Sequence, residues 1–311
     1  MKSFNGRLAL VVLFALAVTL VVRFAVAAPQ QDTPRQKQAR KLVETLEPIH
    51  EEIGPVQPGD WLERNREPGQ TFSQYIRSRP IRPTEKRTTL YVIPIGDFTD
   101  KQQEVFELTV EFMGHYFGTP VEVMDGVSLD VIPDKAKREH PSWGDDQILS
   151  TYVLYDLLVP KVPDDGWALL ALTSSDLWPG DGWNFVFGQA SLNSRVGVWS
   201  IYRNGDPSES EEAFKQCLIR TLKTATHETG HMLSINHCIY YECNMCGSNS
   251  QRESDRRPVY LCPICTAKIT WATRNSPLER AQALKKFCED NGLDESAEYY
   301  EKATGILENR R

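Results

Sequence analysis

Three histidines and one glutamate lie close together between residues 227 and 237. His227, Glu228 and His231 form an HExxH motif, and His237 follows six residues after it. Residues four apart lie on one face of an α-helix, so both imidazoles of the motif can contact one metal ion. Glu228 is adjacent to the first of them and is free to act as a base toward water. The spacing therefore predicts a hydrolytic metal site.

His237 can join the other two histidines only if the helix ends before it. On a continuing helix this residue would lie about 9 Å farther along the axis and away from the ligand face. We therefore predict that the helix ends between His231 and His237 and that the chain then turns back. Three neutral histidines leave one coordination position for water, which is typical of catalytic zinc.

Four cysteines follow at spacings typical of a structural zinc site. They form a CxxxxC pair and a CPxC pair: Cys238 with Cys243, and Cys262 with Cys265. Four thiolates complete a tetrahedral zinc site and leave no position for a substrate. The sequence therefore predicts a second metal centre next to the first. The remaining cysteines receive no metal role: Cys217, Cys246 and Cys288.

The pattern HExxHxxxxxHCxxxxCxM followed by CPxC resembles the signature of the archaemetzincins, a family of metzincin zinc peptidases. Three shorter segments are also similar to that family: residues 59–62 (GDWL), 69–72 (GQTF) and 183–188 (WNFVFG). The resemblance extends over about residues 59–270. It implies a zinc metallopeptidase with a metzincin-like fold.

The resemblance also implies a role for each residue of the pattern. The ligands of the catalytic zinc would be His227, His231 and His237, and Glu228 would be the general base. The ligands of a structural zinc would be Cys238, Cys243, Cys262 and Cys265. Met245 would be the methionine of the turn beneath the catalytic metal. Two zinc ions per chain are therefore expected.

One residue of the motif departs from the family pattern. Ser234 stands where metzincins carry a glycine, three residues after the second histidine. A left-handed turn there costs a non-glycine residue about 1 kcal/mol or more. Asn236 tolerates such a conformation and is expected to take over part of the turn.

For the elements that position these side chains, the resemblance implies an α/β (α+β) metzincin-like fold. By resemblance, it contains a mixed, mostly parallel twisted sheet, an active-site helix, a Cys-rich zinc segment and a C-terminal helical tail. Apolar segments predict strands at residues 88–94, 120–124, 167–173, 185–190 and 195–202. Helical spacing predicts helices at residues 37–47, 72–77, 101–117, 147–158, 277–291 and 295–307. Ser208 or Ser210 can cap the helix that leads into the HExxH motif.

The chain divides into four predicted parts. Residues 1–28 combine a basic start, a fifteen-residue apolar run and small residues, which is typical of a cleaved signal peptide. An uncleaved N-terminal anchor is the alternative, and it would be the only contact with a membrane. Residues 29–85 are predicted as an extension, 86–275 as the catalytic domain and 276–311 as the tail. The protein is therefore expected to be exported to the periplasm or the extracellular space.

Export leaves a second interpretation of the cysteines open. Disulfides form in oxidising compartments, so two disulfides among the four paired cysteines are the alternative to zinc.

The N-terminal extension contains three large aromatic residues, Trp61, Phe72 and Tyr75. They are predicted to be packing residues rather than ligand contacts.

The predicted function is hydrolysis of peptide bonds in a peptide or protein substrate through a zinc-activated water. By resemblance, residues 185–190 would hold the substrate by strand addition. The family includes aminopeptidases, so endopeptidase and aminopeptidase action are both left open. A peptide-binding protein with weakened catalysis and a zinc amidase acting on a non-protein substrate are the alternatives. The net charge of −7 and the scattered basic residues argue against nucleic acid as a partner. The oligomeric state is left open.

Overall fold

The computed structural model describes residues 31–309 of the chain. The predicted signal peptide or anchor at residues 1–28 lies outside this range. Within residues 31–309, no helix is long and apolar enough to cross a membrane.

The described part of the chain forms eight strands in two sheets. The strands are β1 (Thr89–Ile95), β2 (Val121–Val123), β3 (Lys137–Glu139), β4 (Asp146–Leu149), β5 (Gly166–Thr173), β6 (Asp176–Trp178), β7 (Gly188–Ala190) and β8 (Val196–Ser200). The larger sheet has the order β2-β1-β5-β8-β7, and the smaller one has the order β3-β4-β6. In the larger sheet, β7 runs antiparallel to β8 and the other pairs are parallel. The predicted mixed, mostly parallel sheet is confirmed.

Ten α-helices surround the sheets within residues 31–309. They are α1 (Pro34–Leu46), α2 (Trp61–Arg64), α3 (Phe72–Arg77), α4 (Asp100–Phe117), α5 (Ser150–Tyr152), α6 (Glu211–Met232), α7 (Gln251–Arg256), α8 (Pro263–Thr273), α9 (Pro277–Asp290) and α10 (Asp294–Glu308). A π-helical segment, Val153–Leu158, continues α5. Short 3-10 turns lie at Glu47–Ile49, Leu129–Val131, Asp134–Ala136, Val159–Lys161 and Tyr202–Asn204.

The central strand β5 is buried along its whole length. Leu170 and Leu172 pack into one core with α4 and α6, whereas Leu169 and Ala171 pack into a second core with the π-helical segment. Alternate residues of a strand point to opposite faces, so both faces of this strand are covered by protein. This double burial explains why the segment is apolar without alternation, and it confirms the prediction of a central strand.

The long helix α6 carries the HExxH motif to the edge of the larger sheet. Ser210 caps it by accepting a hydrogen bond from the amide of Ala213 (3.1 Å), and two glutamates occupy its first turn. One side of the helix is buried against α4 and β8 by Leu218, Leu222 and Ala225. Each fully buried leucine contributes about 1.5–3 kcal/mol through removal of apolar surface from water. The helix also contacts β7, so its C-terminal half lies beside the edge strand.

The segments before and after the sheet share the core of the sheet. α1 and α3 pack against α8, and α9 packs against both α4 and α10. Leu42 and Leu46 of α1 and Tyr75 of α3 belong to the same buried cluster as the central strand. The predicted helices of the tail and the short helix at residues 72–77 are confirmed.

The predicted helix at residues 147–158 is wrong at its beginning. Asp146–Leu149 forms β4, and helical geometry starts only at Ser150. Gln147 is buried in this strand and donates a hydrogen bond to Asp176 of β6 (2.6 Å). Periodicity did not show this pairing, because the partner strand is only three residues long.

Three further differences lie close to the HExxH motif. The strand predicted at residues 185–190 is regular only over Gly188–Ala190. The strand predicted at 195–202 ends at Ser200 and passes into a 3-10 turn. The helix α8 was not predicted. It begins directly after Cys262 of the CPxC pair. The Sγ atom of Cys262 caps this helix by accepting a hydrogen bond from the amide of Cys265 (3.4 Å).

Candidate metal centre

The end of α6 forms a tight turn that reverses the chain toward His237. The amide of Ser234 donates to the carbonyl of His231 (2.8 Å), and the amide of Ile235 donates to that of Gly230 (3.2 Å). These two bonds form a Schellman motif, in which the residue after the cap adopts a left-handed conformation. Ser234 has φ = 62°, as the motif requires. The prediction that the helix ends between His231 and His237 is confirmed.

The turn brings the three imidazole rings together. The centroid of the His231 ring lies 4.6 Å from that of His227 and 4.9 Å from that of His237. One ring nitrogen of each histidine lies within 4.8 Å of the other two. The Nε2 atoms of His227 and His231 are 3.0 Å apart.

Each ring is held by a hydrogen bond at its other nitrogen. The Nδ1 atoms of His227, His231 and His237 donate to the carbonyl of Asn244, the carbonyl of Ile235 and the Oε1 atom of Glu67. All three distances are 2.7 Å. Because these acceptors carry no proton, Nδ1 is protonated and Nε2 bears a lone pair in each neutral ring. Such contacts fix both the tautomer and the orientation of metal-binding histidines.

This arrangement fits a cation. Two Nε2 lone pairs 3.0 Å apart repel each other when no proton lies between them. Burial lowers the pKa of His227 to about 3 and lowers that of His231 as well, so neither ring gains a proton near neutral pH. Zinc bonds to imidazole nitrogen at about 2.0–2.1 Å, and two such bonds span this separation. The residues present therefore suit one zinc ion.

Glu228 lies beside the histidines in a dry position. Its side chain is 7% exposed, and burial raises the pKa of its carboxyl to about 8. A bound dication has the opposite effect, because a nearby positive charge favours the carboxylate. Gly188 of β7 provides the space for this side chain, since a Cβ atom at Gly188 would lie 2.9 Å from the Oε1 atom of Glu228.

Met245 packs beneath the same turn of α6. Its side chain is fully buried, and a Cβ atom at Gly230 would lie 2.5 Å from its sulfur. The glycine of the HETGH sequence therefore allows the methionine to approach the helix between the two histidines. The carbonyl of Met245 also accepts a hydrogen bond from the amide of Cys238 (2.7 Å).

The four paired cysteines form a second cluster next to the histidines. Their Sγ atoms all lie within 4.8 Å of one another, and all four side chains are buried. The sulfurs of Cys238 and Cys262 are 3.7 Å apart, whereas a disulfide bond is about 2.05 Å long. Four zinc-bound thiolates at about 2.3 Å from a common ion reproduce this spacing. All seven cysteines are free, so the alternative of two disulfides is not supported.

A cavity of about 690 Å³ opens over the histidines. The edge strand β7 and residues 182–187 form one wall, and α6 forms the floor. Trp61 and Arg64 of α2 close the cavity from the N-terminal extension. The size is typical of a cleft that binds a small peptide or a similar ligand.

Comparisons with known proteins place the chain in one family. It is 30% identical to archaemetzincin-2 from Homo sapiens over 314 aligned residues, which covers 90% of this chain and 86% of the human protein. The chain belongs to the archaemetzincin family. The rat archaemetzincin-2 is 32% identical and covers 83% of this chain and 80% of its own length. The sequence model of peptidase family M54 matches residues 155–271.

A solved structure agrees with this assignment. Archaemetzincin from Methanopyrus kandleri is 28% identical, superposes with a TM-score of 0.50, and covers 62% of this chain and 99% of its own length. The chain described here is therefore a zinc metallopeptidase with the fold that the resemblance implied. The archaeal structure matches only part of it.

Two residues of the centre come from the N-terminal extension of this archaemetzincin and were not predicted. Glu67 accepts hydrogen bonds from His237 and from the Nε1 atom of Trp61, both at 2.7 Å. The hydrogen bond from His237 lowers the pKa of Glu67, so the carboxylate stays charged. Trp61 packs edge-on against the ring of His237, with centroids 5.2 Å apart. Trp61 thus packs, as predicted, but it packs against one of the clustered histidines and also hydrogen-bonds the carboxylate that orients it.

The turn that contains Ser234 is also held by the extension. Gln70 donates to the carbonyl of Ser234 (3.2 Å) and accepts from the amide of Asn236 (3.3 Å). The hydroxyl of Ser234 accepts from the amide of Ile81 (3.1 Å). Ser234 itself adopts the left-handed conformation, and the expectation that Asn236 shares it is wrong. A hydrogen bond that glycine lacks thus offsets part of the backbone strain.

These contacts predict a defined order of stability at position 234. Ser234→Ala keeps the strained backbone and loses the bond to Ile81, so it should lower the free energy of unfolding by about 1 kcal/mol. Ser234→Gly loses the same bond but relieves about 1–2 kcal/mol of strain, so it should remain within about 1 kcal/mol of the parent protein. Urea unfolding of the three proteins measures this order. An alanine variant as stable as the glycine variant would show that the backbone is not strained.

Proposed function

We propose that this archaemetzincin hydrolyses peptide bonds with Glu228 as the general base and His227, His231 and His237 as the ligands of the catalytic zinc. The convergence of three Nε2 lone pairs beside a buried carboxylate supports this proposal most directly. The rings come from α6 and from the turn after it, and their tautomers are fixed by three separate acceptors.

The proposed chemistry divides between the metal and the chain. Zinc, when bound, supplies a Lewis acid that makes a water molecule nucleophilic at neutral pH. The carboxylate of Glu228 accepts the proton of the attacking water and returns it to the nitrogen of the leaving amine. A carboxylate in a dry site holds that proton more readily than a solvated one. Gly188 keeps the edge strand close enough to bring a peptide beside this carboxylate.

We propose that the substrate binds in extended form along β7. This strand lies at the end of the larger sheet and is paired with β8 on one side. Its other side faces the cavity, and Gly188, Gln189 and Ala190 all line it. Strand addition would provide backbone hydrogen bonds that do not depend on the substrate sequence.

The cavity favours cleavage within a peptide over removal of the first residue. An aminopeptidase holds the free ammonium group of its substrate with an acidic side chain. Among the described residues that line the cavity, Glu228 is the only acidic one. Glu67 already binds His237 and Trp61 and does not line the cavity. We therefore propose an endopeptidase, and we treat aminopeptidase action as the less supported form of the same chemistry.

Glu228→Gln tests the assignment of the base. The amide has nearly the same shape but cannot accept a proton from water, so kcat should fall by at least about 100-fold while the metal content is unchanged. Cleavage of a mixed peptide library, followed by mass spectrometry, measures this loss. Glu298→Gln on the exposed face of α10 is the matched control.

The same library separates the alternative functions. If the Glu228→Gln variant cleaves peptides as fast as the parent, another group is the base. If the parent protein binds library peptides but cleaves none, it is a peptide-binding protein. If it cleaves only non-peptide amides, it is an amidase with the same zinc chemistry.

Metal analysis tests the number of zinc ions. We propose two per chain, one held by the histidines and one held by the four cysteines. His231→Ala should reduce the zinc content from two to one and leave the protein folded. Cys262→Ser should also remove one zinc but should destabilise the protein, because binding of a structural zinc contributes directly to folding. A single zinc in the parent protein would contradict this proposal.

Glu67→Ala tests whether the extension supports the catalytic metal. Loss of the hydrogen bond to Nδ1 of His237 should weaken zinc binding at the histidine site by about 10–100-fold. Competition with a chromophoric chelator measures this affinity without any substrate. Glu63→Ala, four residues earlier and bonded to the amide of Gly59 instead, is the control. Equal zinc affinity in the two variants would show that Glu67 has no such role.

A further inference from the structure

A buried lysine lies in the catalytic cavity without a carboxylate partner. Lys223 is 6% exposed and lines the cavity. Within residues 31–309, no carboxylate oxygen lies within 4.0 Å of its Nζ atom, so it takes part in none of the ion pairs. Lysine is almost never this buried unless it is paired. The position of this ammonium group therefore requires an explanation.

The contacts of Lys223 account for only part of its hydrogen-bonding capacity. The Nζ atom donates to the carbonyls of Ser254 (3.2 Å) and Asp255 (3.4 Å) in the last turn of α7. An ammonium group has three donors, so these two contacts leave one donor unused. Burial lowers the pKa of Lys223, and the more distant negative charges of Asp255 and Glu295 offset this effect only in part. An anion in direct contact would stabilise the charged form further.

The position of Lys223 along α6 relates it to the catalytic metal. It precedes His227 by four residues, so the two side chains lie on the same helix face and about 6 Å apart along the axis. Ser254 and Asn244 line the cavity beside it, and the side chain of Asn244 donates to the carbonyl of Lys223 (3.1 Å). An extended peptide advances about 3.3 Å per residue, so this distance corresponds to about two residues of substrate.

Most of the charged side chains that line the cavity have the same sign as Lys223. Its other cationic side chains are Arg64 and Arg257, and its one acidic side chain among the described residues is Glu228. Arg257 is paired with Glu242 (2.5 Å) and lies 3.7 Å from Glu253, whereas Arg64 makes no ion pair in the described chain. The described lining thus carries more cationic than anionic side chains in a protein of net charge −7. Such a cleft concentrates anionic ligands.

We propose that Lys223 forms a carboxylate-binding subsite of the cleft, and that preferred substrates carry a carboxylate within about two residues of the cleaved bond. The carboxylate is either the side chain of Asp or Glu or the C-terminus of the peptide. This inference rests on the proposed peptidase function, because it names the substrate class of the same site. The two carbonyls of α7 hold the lysine in place, and the substrate supplies a carboxylate in direct contact, which Asp255 and Glu295 do not.

Matched peptides test this subsite. Internally quenched peptides carry Glu or Gln at each of the two positions on either side of the cleaved bond. A second set ends in a free carboxylate or an amide at the same distances. In the parent protein, kcat/KM for the acid should exceed that for the amide by at least about tenfold at one position. The set that shows the preference identifies the source of the carboxylate.

Two variants assign the preference to the lysine. Lys223→Met removes the charge and keeps an unbranched side chain, and it should reduce the acid-to-amide ratio to less than about twofold. Lys215→Met removes a charge from the exposed side of the same helix and should keep the parental ratio. A merely structural role in holding α7 would lower stability but would not change the ratio. An unchanged ratio in Lys223→Met would overturn the proposal.

A binding experiment keeps this test separate from the proposed catalysis. The same peptides are titrated onto the parent protein and onto Glu228→Gln, with calorimetric detection. Tighter binding of the acids without any cleavage would support the subsite and contradict the peptidase proposal. Equal rates and equal affinities for acids and amides in the parent protein would overturn the subsite, whether or not Lys223→Met folds.

Discussion

The whole centre depends on three lone pairs that point at one place. Each imidazole reaches this state because its other nitrogen donates to an acceptor, and the three acceptors come from different parts of the chain: the loop after the cysteine pair, the end of α6 and the N-terminal extension. The lone pairs repel one another unless a cation lies among them. The surrounding protein therefore holds an arrangement that only a bound metal makes favourable.

The N-terminal extension contacts His237 and the turn after α6 directly. The segment GDWL places Trp61 against His237, and its backbone is anchored because the amide of Trp61 donates to Glu253 (3.0 Å). The segment GQTF provides Gln70, which binds both sides of the turn after α6. The third similar segment, WNFVFG, forms a wall of the cavity and ends at Gly188. Two of the three segments that resembled the family outside the metal motif thus line the cleft, and the third holds the turn that leads to His237.

The sequence predicted which histidines and cysteines lie together better than it predicted the residues that orient them. HExxH spacing and paired cysteines have a fixed geometry, because a helix and a tetrahedral ion permit few arrangements. Glu67 lies 170 residues before its partner His237, and a single acidic residue in an irregular segment carries no local signal. The burial of Lys223 could not be predicted for a different reason. The helical periodicity of α6 identifies Lys223 only as a polar residue, and the tertiary structure is needed to show that it is buried in the cleft.

His237 and Cys238 are neighbours in the chain, and one planar peptide unit with Cα atoms about 3.8 Å apart joins the nitrogen centre to the sulfur cluster. Because the link is this short, neither residue can be displaced far without moving the other. Oxidation of the thiols would displace Cys238 and, through this single peptide unit, the third imidazole. Damage to the four paired cysteines, which are buried and do not line the cavity, would therefore change the geometry of the cleft.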